Sequence, residues 1–284
     1  MIKIGGQKIE VGHFPDGTQM LLNVDLSHLA QGVIDIVWTY EKDEELITLM
    51  FLKKHIDAHY RNIQCDLYMP FVANGRMDRV KKNSEIFTLK YFCEIINSLN
   101  FDRVFILDPH SYVTEALINN VVVMDVSNFI AKAIGEFKKE YGSSIITLYF
   151  PDDGAMKRYK DLFSGIDIIY GKKVRDWDTG KIVGLEIYDE KGNKIIGDAL
   201  KDRHIFMIDD IISYGGTLAY STDKLREHGA KTVVAYASHT EPSVIDNEKG
   251  ALLKRFRDGT FQKIYTTNSL FAFNTAMVNI IHKF

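Results

Sequence analysis

The chain has 284 residues, 46% of them hydrophobic, and a formal net charge of −3. That length suffices for two domains with large buried cores, and that composition excludes a largely disordered chain. No basic block or stripe stands out, which argues against nucleic acid as the main partner, because backbone phosphates are held by concentrated Lys and Arg.

The two cysteines, Cys65 and Cys93, make no disulfide framework and lack metal-ligand spacing, so they read as small buried hydrophobes. No charged-then-apolar leader opens the sequence and no apolar run reaches membrane-spanning length, which predicts a cytoplasmic protein without membrane contact.

In chain order, strands and helices alternate. Residues 33–40 form a strand-like run. Residues 44–60 carry Leu46, Leu49, Met50, Lys53, Ile56 and His59 at helical spacing. Strands follow at 65–69, 104–107 and 121–124, with a helix at 87–99 between the first two. That helix has Leu89, Phe92, Ile95, Ile96 and Leu99 on its apolar face. A helix at 127–141, with Ser127 as N-cap, closes the first half. The second half predicts strands at 145–150, 166–170, 205–208, 233–237 and 264–266. Its helices fall at 155–163 and 217–228, the latter ended by Gly229. A polar stretch at 171–180 interrupts the pattern. Such alternation predicts an α/β protein with mainly parallel sheets flanked by helices. The domain boundary is expected near 142–144, giving domains at 1–142 and 143–269, with 270–284 packing back on the first.

The segment with most chemistry is 204–218. A hydrophobic strand delivers Asp209 and Asp210 to its carboxyl end, where open α/β sheets bind ligands. Ser213, Tyr214, Gly215, Gly216 and Thr217 then turn tightly into a helix. Paired glycines let backbone N–H groups curl inward, and the helix N-terminus adds positive charge, which together cradle an anion. The carboxylates beside it can accept sugar hydroxyls or hold magnesium. Four other segments are ordinary turns or loops when seen singly. Arg76, Asp78 and Arg79 lie in a loop at 70–79. Asp108 and His110 lie at 107–112, Asp152 in Pro151-Asp152-Asp153-Gly154, and Phe14 and Asp16 in Phe14-Pro15-Asp16-Gly17. The stretch 171–180 holds a Lys-x-Arg pair, Lys173 and Arg175.

Taken in this order, the segments resemble the ribose-phosphate diphosphokinase family. The 213–217 turn is similar to the family's phosphoribosyl-diphosphate loop, usually Asp-Thr-Gly-Gly-Thr, with Ser213 and Tyr214 at its first two positions here. Residues 70–79 resemble an Ala-Arg-Gln-Asp-Arg loop that touches ATP, with Met77 in place of the glutamine. Residues 107–112 resemble Asp-Leu-His-Ala, with Pro109 in place of leucine. Residues 238–241 and 266–269 more loosely resemble two further family turns.

The resemblance implies two type I phosphoribosyltransferase-like domains and transfer of the β,γ-diphosphate of ATP to the anomeric hydroxyl of a ribose phosphate. It implies Lys173 and Arg175 as catalytic, and Asp209, Asp210 and 213–217 on the ribose phosphate. It places Phe14, Asp16, Arg76, Asp78 and His110 on ATP, and His110 and Asp152 on magnesium. Phe14 would reach the adenine site of a second subunit, in a homodimer or larger homo-oligomer. The family has longer termini, which leaves its nucleotide feedback and hexameric assembly unassigned.

Tyr214 sets a bulky ring beside the 5-phosphate site, so the acceptor is expected to carry more than a bare phosphate. ADP-ribose is favoured, as in phage-type NAD+ rebuilding, with ribose 5-phosphate a close rival. A regulatory homologue without activity, a phosphoribosyltransferase and a nucleotide-binding module are the competing readings.

Overall fold

The computed structural model describes the chain except residues 23, 25, 27–31, 61–62, 143–145 and 176–181 and the side chains of 175, 182 and 183. It divides into two compact units, 1–125 with Phe284, and 126–283.

The first unit begins with β1 (Ile2–Ile4), β2 (Gln7–Lys8) and a hairpin of β3 (Val11–His13) and β4 (Gln19–Leu21). Then come β5 (Val33–Trp38), α1 (Glu44–His59), β6 (Gln64–Tyr68), α2 (Thr88–Ser98), β7 (Arg103–Leu107), α3 (Tyr112–Leu117) and β8 (Val121–Met124). The sheet order is β2-β1-β5-β6-β7-β8. Strands β5 to β8 run parallel, and β1 and β2 are antiparallel additions. Alternation along β5 buries Ile34, Ile36 and Trp38, which share one core with Leu49, Leu52 and Ile56 of α1 and Leu89, Phe92 and Ile96 of α2. That packing turns Met50 and His59 outward, so the buried stripe of α1 is rotated from the one expected. Cys65 and Cys93 lie in this core, where burial pushes both thiols up to about 12.

The second unit holds α4 (Val126–Tyr141), β9 (Ile146–Phe150), α5 (Asp153–Tyr159), β10 (Asp167–Arg175), β11 (Ile182–Asp189) and β12 (His204–Ile212). It ends with α6 (Gly216–Glu227), β13 (Thr232–Thr240), α7 (Ala251–Arg257), β14 (Lys263–Thr267) and β15 (Val278–His282). Its sheet order is β11-β10-β9-β12-β13-β14-β15, parallel except for β11. Strand alternation splits the core between two faces. Ile205 and Met207 pack with Leu218 and Leu225 of α6 and Leu252 of α7. Phe206 and Ile208 pack with Ile130 and Phe137 of α4 and Tyr159 of α5.

The expected α/β architecture with mainly parallel sheets holds in both units. The division falls after Asp125 rather than near 142. The cause is α4: Ile130, Ala133 and Phe137 form a stripe buried against the second sheet, and each large side chain there contributes about 1.5–3 kcal/mol. Ser127 falls inside the first turn of α4 instead of capping it. Residues 278–282 pair with β14, so of the final segment only Phe284 groups with the first unit. Among the described residues, no helix is long and apolar enough to cross a membrane.

Candidate active site

Strand β12 continues to Ile212, so Asp209 and Asp210 stand within it. Adjacent positions start on opposite faces of the sheet, yet the two carboxyl groups meet in a side-chain hydrogen bond. Asp210, 8% exposed, lies on the face of α5 and forms an ion pair with Arg158, whose Nη1 is 3.6 Å from its Oδ2. Asp209 accepts a hydrogen bond from the Asp210 backbone N–H at 3.0 Å. Burial, and then the neighbouring Asp210 charge, push the Asp209 carboxyl well above the usual range.

The chain then turns through Ser213 and Tyr214 to Gly215, whose φ of 76° is left-handed. A Cβ there would come within 2.5 Å of the Leu252 Cβ. The turn is braced from behind. The Tyr214 carbonyl accepts from Ala251 N–H at 2.9 Å, and Ser213 Oγ meets Ser243 Oγ at 3.3 Å. An open cleft of about 320 Å³ results, lined by Asp209, Ser213, Tyr214, Gly215, Gly216 and Thr217 among others. The N-terminus of α6 opens on it, an arrangement whose backbone N–H groups and dipole suit an anion. The Tyr214 ring is 40% exposed, with Lys249 Nζ 6.0 Å from its centroid.

Asp152 caps α5, its Oδ1 accepting from Gly154 N–H at 3.0 Å and Ala155 N–H at 3.1 Å. Its Oδ2 lies 3.8 Å from Lys173 Nζ. The stretch 171–180 is not a loop throughout: β10 extends to Arg175 and pairs antiparallel with β11, Lys173 opposite Leu185. Strand pairing overrides the polar composition because β11 supplies Leu185 and Ile187, both buried. The side chain of Arg175 lies outside the described residues, as do 176–181. Gly171 anchors this strand: a Cβ there would run into the Tyr149 hydroxyl and lie 2.9 Å from the Pro151 carbonyl. Tyr149 in turn donates to Ser221 Oγ at 2.8 Å.

In the first unit, the loops after β6 and β7 converge. Arg79 grips Asp78 with two hydrogen bonds of 2.7 Å. The Gly75 Cβ position falls 4.0 Å from the His110 Cβ. Asp108 is buried at a left-handed φ of 42°, which bends the chain so that His110 is exposed. Arg76 is exposed as well. Phe14 and Asp16 sit on the turn of the separate β3–β4 hairpin, Phe14 51% exposed. The Asp16 carboxylate accepts from Thr18 N–H at 2.9 Å and Thr18 Oγ1 at 2.7 Å, which holds it below its ordinary value.

The Arg79 hydrogen bonds hold the Asp78 carboxyl down at about 2, against burial, with Ser111 and His110 adding to the lowering. A depressed value means that the pairing stabilises fully above the ordinary carboxylate range and is lost as pH falls towards about 2. An NMR titration of this carboxyl is expected to show a midpoint of about 2. A midpoint near the unperturbed ~3.9 would contradict the pairing.

Reading the sequence missed Arg79 as the partner of Asp78, and missed Arg158, Tyr149, Ser243 and Lys249. Each acts through a contact distant in sequence or through an ordinary helix or loop position, and no motif marks it.

No model of a protein family matches the chain. It is 26% identical over 268 residues to a ribose-phosphate pyrophosphokinase from Sulfurisphaera tokodaii, spanning 93% of this chain and 84% of that one. To a ribose-phosphate pyrophosphokinase from Pyrococcus furiosus it is 28% identical over 235 residues, 81% of this chain and 77% of the relative. Its fold is similar to that of the phosphoribosylpyrophosphate synthetase from Mycobacterium smegmatis, with a TM-score of 0.72 over 97% of this chain and 86% of that one, at 18% identity. The chain is thus similar in sequence to ribose-phosphate pyrophosphokinases over up to nine-tenths of its length, and similar in fold to a phosphoribosylpyrophosphate synthetase over nearly all of it.

Proposed function

We propose that the protein is a magnesium-dependent diphosphokinase that transfers the β,γ-diphosphate of ATP to the anomeric hydroxyl of a ribose phosphate. The observation that carries this reading is the gathering in one unit of an anion cradle, the Asp209–Asp210 pair and the Lys173–Asp152 ion pair. A bare phosphate-binding module needs only the first of these.

In the proposed reaction the cradle 213–217 holds the 5-phosphate, while Asp209 and Asp210 accept the ribose hydroxyls. The anomeric oxygen attacks the β-phosphorus in line and its proton passes to water. The bond from that phosphorus to the α,β-bridging oxygen breaks, and AMP leaves with the oxygen. Lys173 and Arg175 stabilise the charge that builds on the transferring group. Arg76, Asp78 and His110 contribute to ATP binding, and Phe14 and Asp16 to that of a second subunit in a homo-oligomer.

Among the described residues, no three His, Cys, Asp or Glu gather into a metal cage. That suits magnesium, which takes one or two protein ligands and completes its shell with phosphates and water. Asp152 fits such a role, its side chain half exposed and its Oδ2 turned to Lys173 rather than to the helix cap. His110, exposed in the first unit, is the other candidate. Magnesium, when bound, would neutralise phosphate charge.

ADP-ribose is the favoured acceptor and ribose 5-phosphate its close rival. The half-exposed Tyr214 ring and Lys249 offer a flat face and a cation to whatever follows the 5-phosphate. The name shared by the relatives speaks for a plain ribose phosphate. AMP release from ATP and magnesium, with each acceptor in a parallel tube, decides between them. Release with ADP-ribose alone supports the wider pocket, and release mainly with ribose 5-phosphate retires the Tyr214 argument. No release with either favours the regulatory or binding-module readings, and diphosphate release without ATP favours a phosphoribosyltransferase.

A further inference from the structure

Two carboxylates adjacent on one strand, one of them 8% exposed, need a cation to stay in place. Arg158 supplies it. It lies on α5, two turns or so past the cap at Asp152, and its side chain is only 23% exposed. Its Nη1 stands 3.6 Å from Asp210 Oδ2. Asp210 is linked onward, its N–H donating to Asp209 Oδ1. Groups facing the pair among the described residues include Arg158 from α5, Asp152 from the start of that helix and Tyr149 from β9. Arg158 thus pairs with Asp210, whereas Lys173 is engaged with Asp152.

We propose that Arg158 is a positioning residue for the acceptor: it clamps Asp210 on its face of the sheet, and through Asp210 it sets the place of Asp209 at the cleft. This rests on the reading of Asp209 and Asp210 as the ribose-binding pair. Arg158 acts through a carboxylate and not on phosphate, so its loss weakens the acceptor selectively.

Steady-state AMP release by wild type, Arg158→Ala and Arg158→Lys tests it, each acceptor and ATP being varied in turn. For Arg158→Ala the acceptor KM is expected to rise by about tenfold or more while the ATP KM stays within about twofold. Arg158→Lys, which restores the charge, is expected to recover most of the loss. Equal rises in both KM values, an unchanged acceptor KM, or a lysine variant no better than alanine would overturn the proposal. If Arg158→Ala does not fold, Arg158→Gln, which keeps the stem without the charge, takes its place. Wild type that releases no AMP with either acceptor would overturn the parent reading instead. Calorimetry with ribose 5-phosphate then tests the clamp by itself: binding by wild type and loss in Arg158→Ala sustain it, and equal binding or none by both overturns it.

Discussion

Lys173→Ala is expected to cut kcat by on the order of a hundredfold to a thousandfold while the protein stays folded. The two halves of that expectation come from different facts. Diphosphoryl transfer leaves little covalent work for a protein, so a cation placed where charge develops supplies much of the acceleration. In the proposed reaction Lys173 is that cation; it lies on a strand whose position is fixed by Gly171 against the Tyr149 hydroxyl, and its Nζ reaches the Asp152 carboxylate at 3.8 Å. Its contribution to stability is small by contrast. The two side chains are 32% and 49% exposed, and an ion pair in such a setting is worth at most about 1 kcal/mol. Asp152 also keeps its hydrogen bonds to Gly154 and Ala155 without the lysine. Turnover and thermal unfolding of the variant, measured side by side, check both halves. Near wild-type turnover would remove Lys173 from the chemistry.

Gly215→Ala is expected to destabilise by about 2–4 kcal/mol and to abolish acceptor binding. Part of the cost is conformational, because alanine at a φ of 76° is forced into the left-handed region. The rest is steric, since the new Cβ would stand 2.5 Å from the Leu252 Cβ. Relief would require the turn to move away from α7, against the hydrogen bonds that tie Tyr214 to Ala251 and Leu252. Such a movement opens the cradle itself. Gly192→Ala is the matched control: its φ is 84° but nothing lies within 4 Å of the Cβ position. It should cost about 1–2 kcal/mol and leave binding unchanged. Equal destabilisation in the two variants, measured by denaturant unfolding, would contradict the steric account.

The parts of the fold legible in the sequence were those whose side chains carry their own period. Strands β9, β12 and β13 are hydrophobic runs buried on both faces. The tight turn at 213–217 was legible because Gly215 and Gly216 stand between a strand and a helix, and Gly215 takes the left-handed φ such a turn requires. What was lost depended on partners distant in the chain. Polar residues at 171–175 extend β10 because β11 pairs with them. The helix at 126–141 belongs to the second unit because Phe137 finds its core there, and local sequence carries no sign of that choice. Asp209 and Asp210 read as a pair and their side chains do interact, but only the fold reveals Arg158 as an ion-pair partner of Asp210.

Diphosphate transfer is tested with ATP labelled at its β-phosphorus, with magnesium and ribose 5-phosphate or ADP-ribose. The label is expected to move to the sugar's anomeric oxygen while unlabelled AMP accumulates in equal amount. Label retained in ADP, or released as free diphosphate without a sugar product, would contradict it.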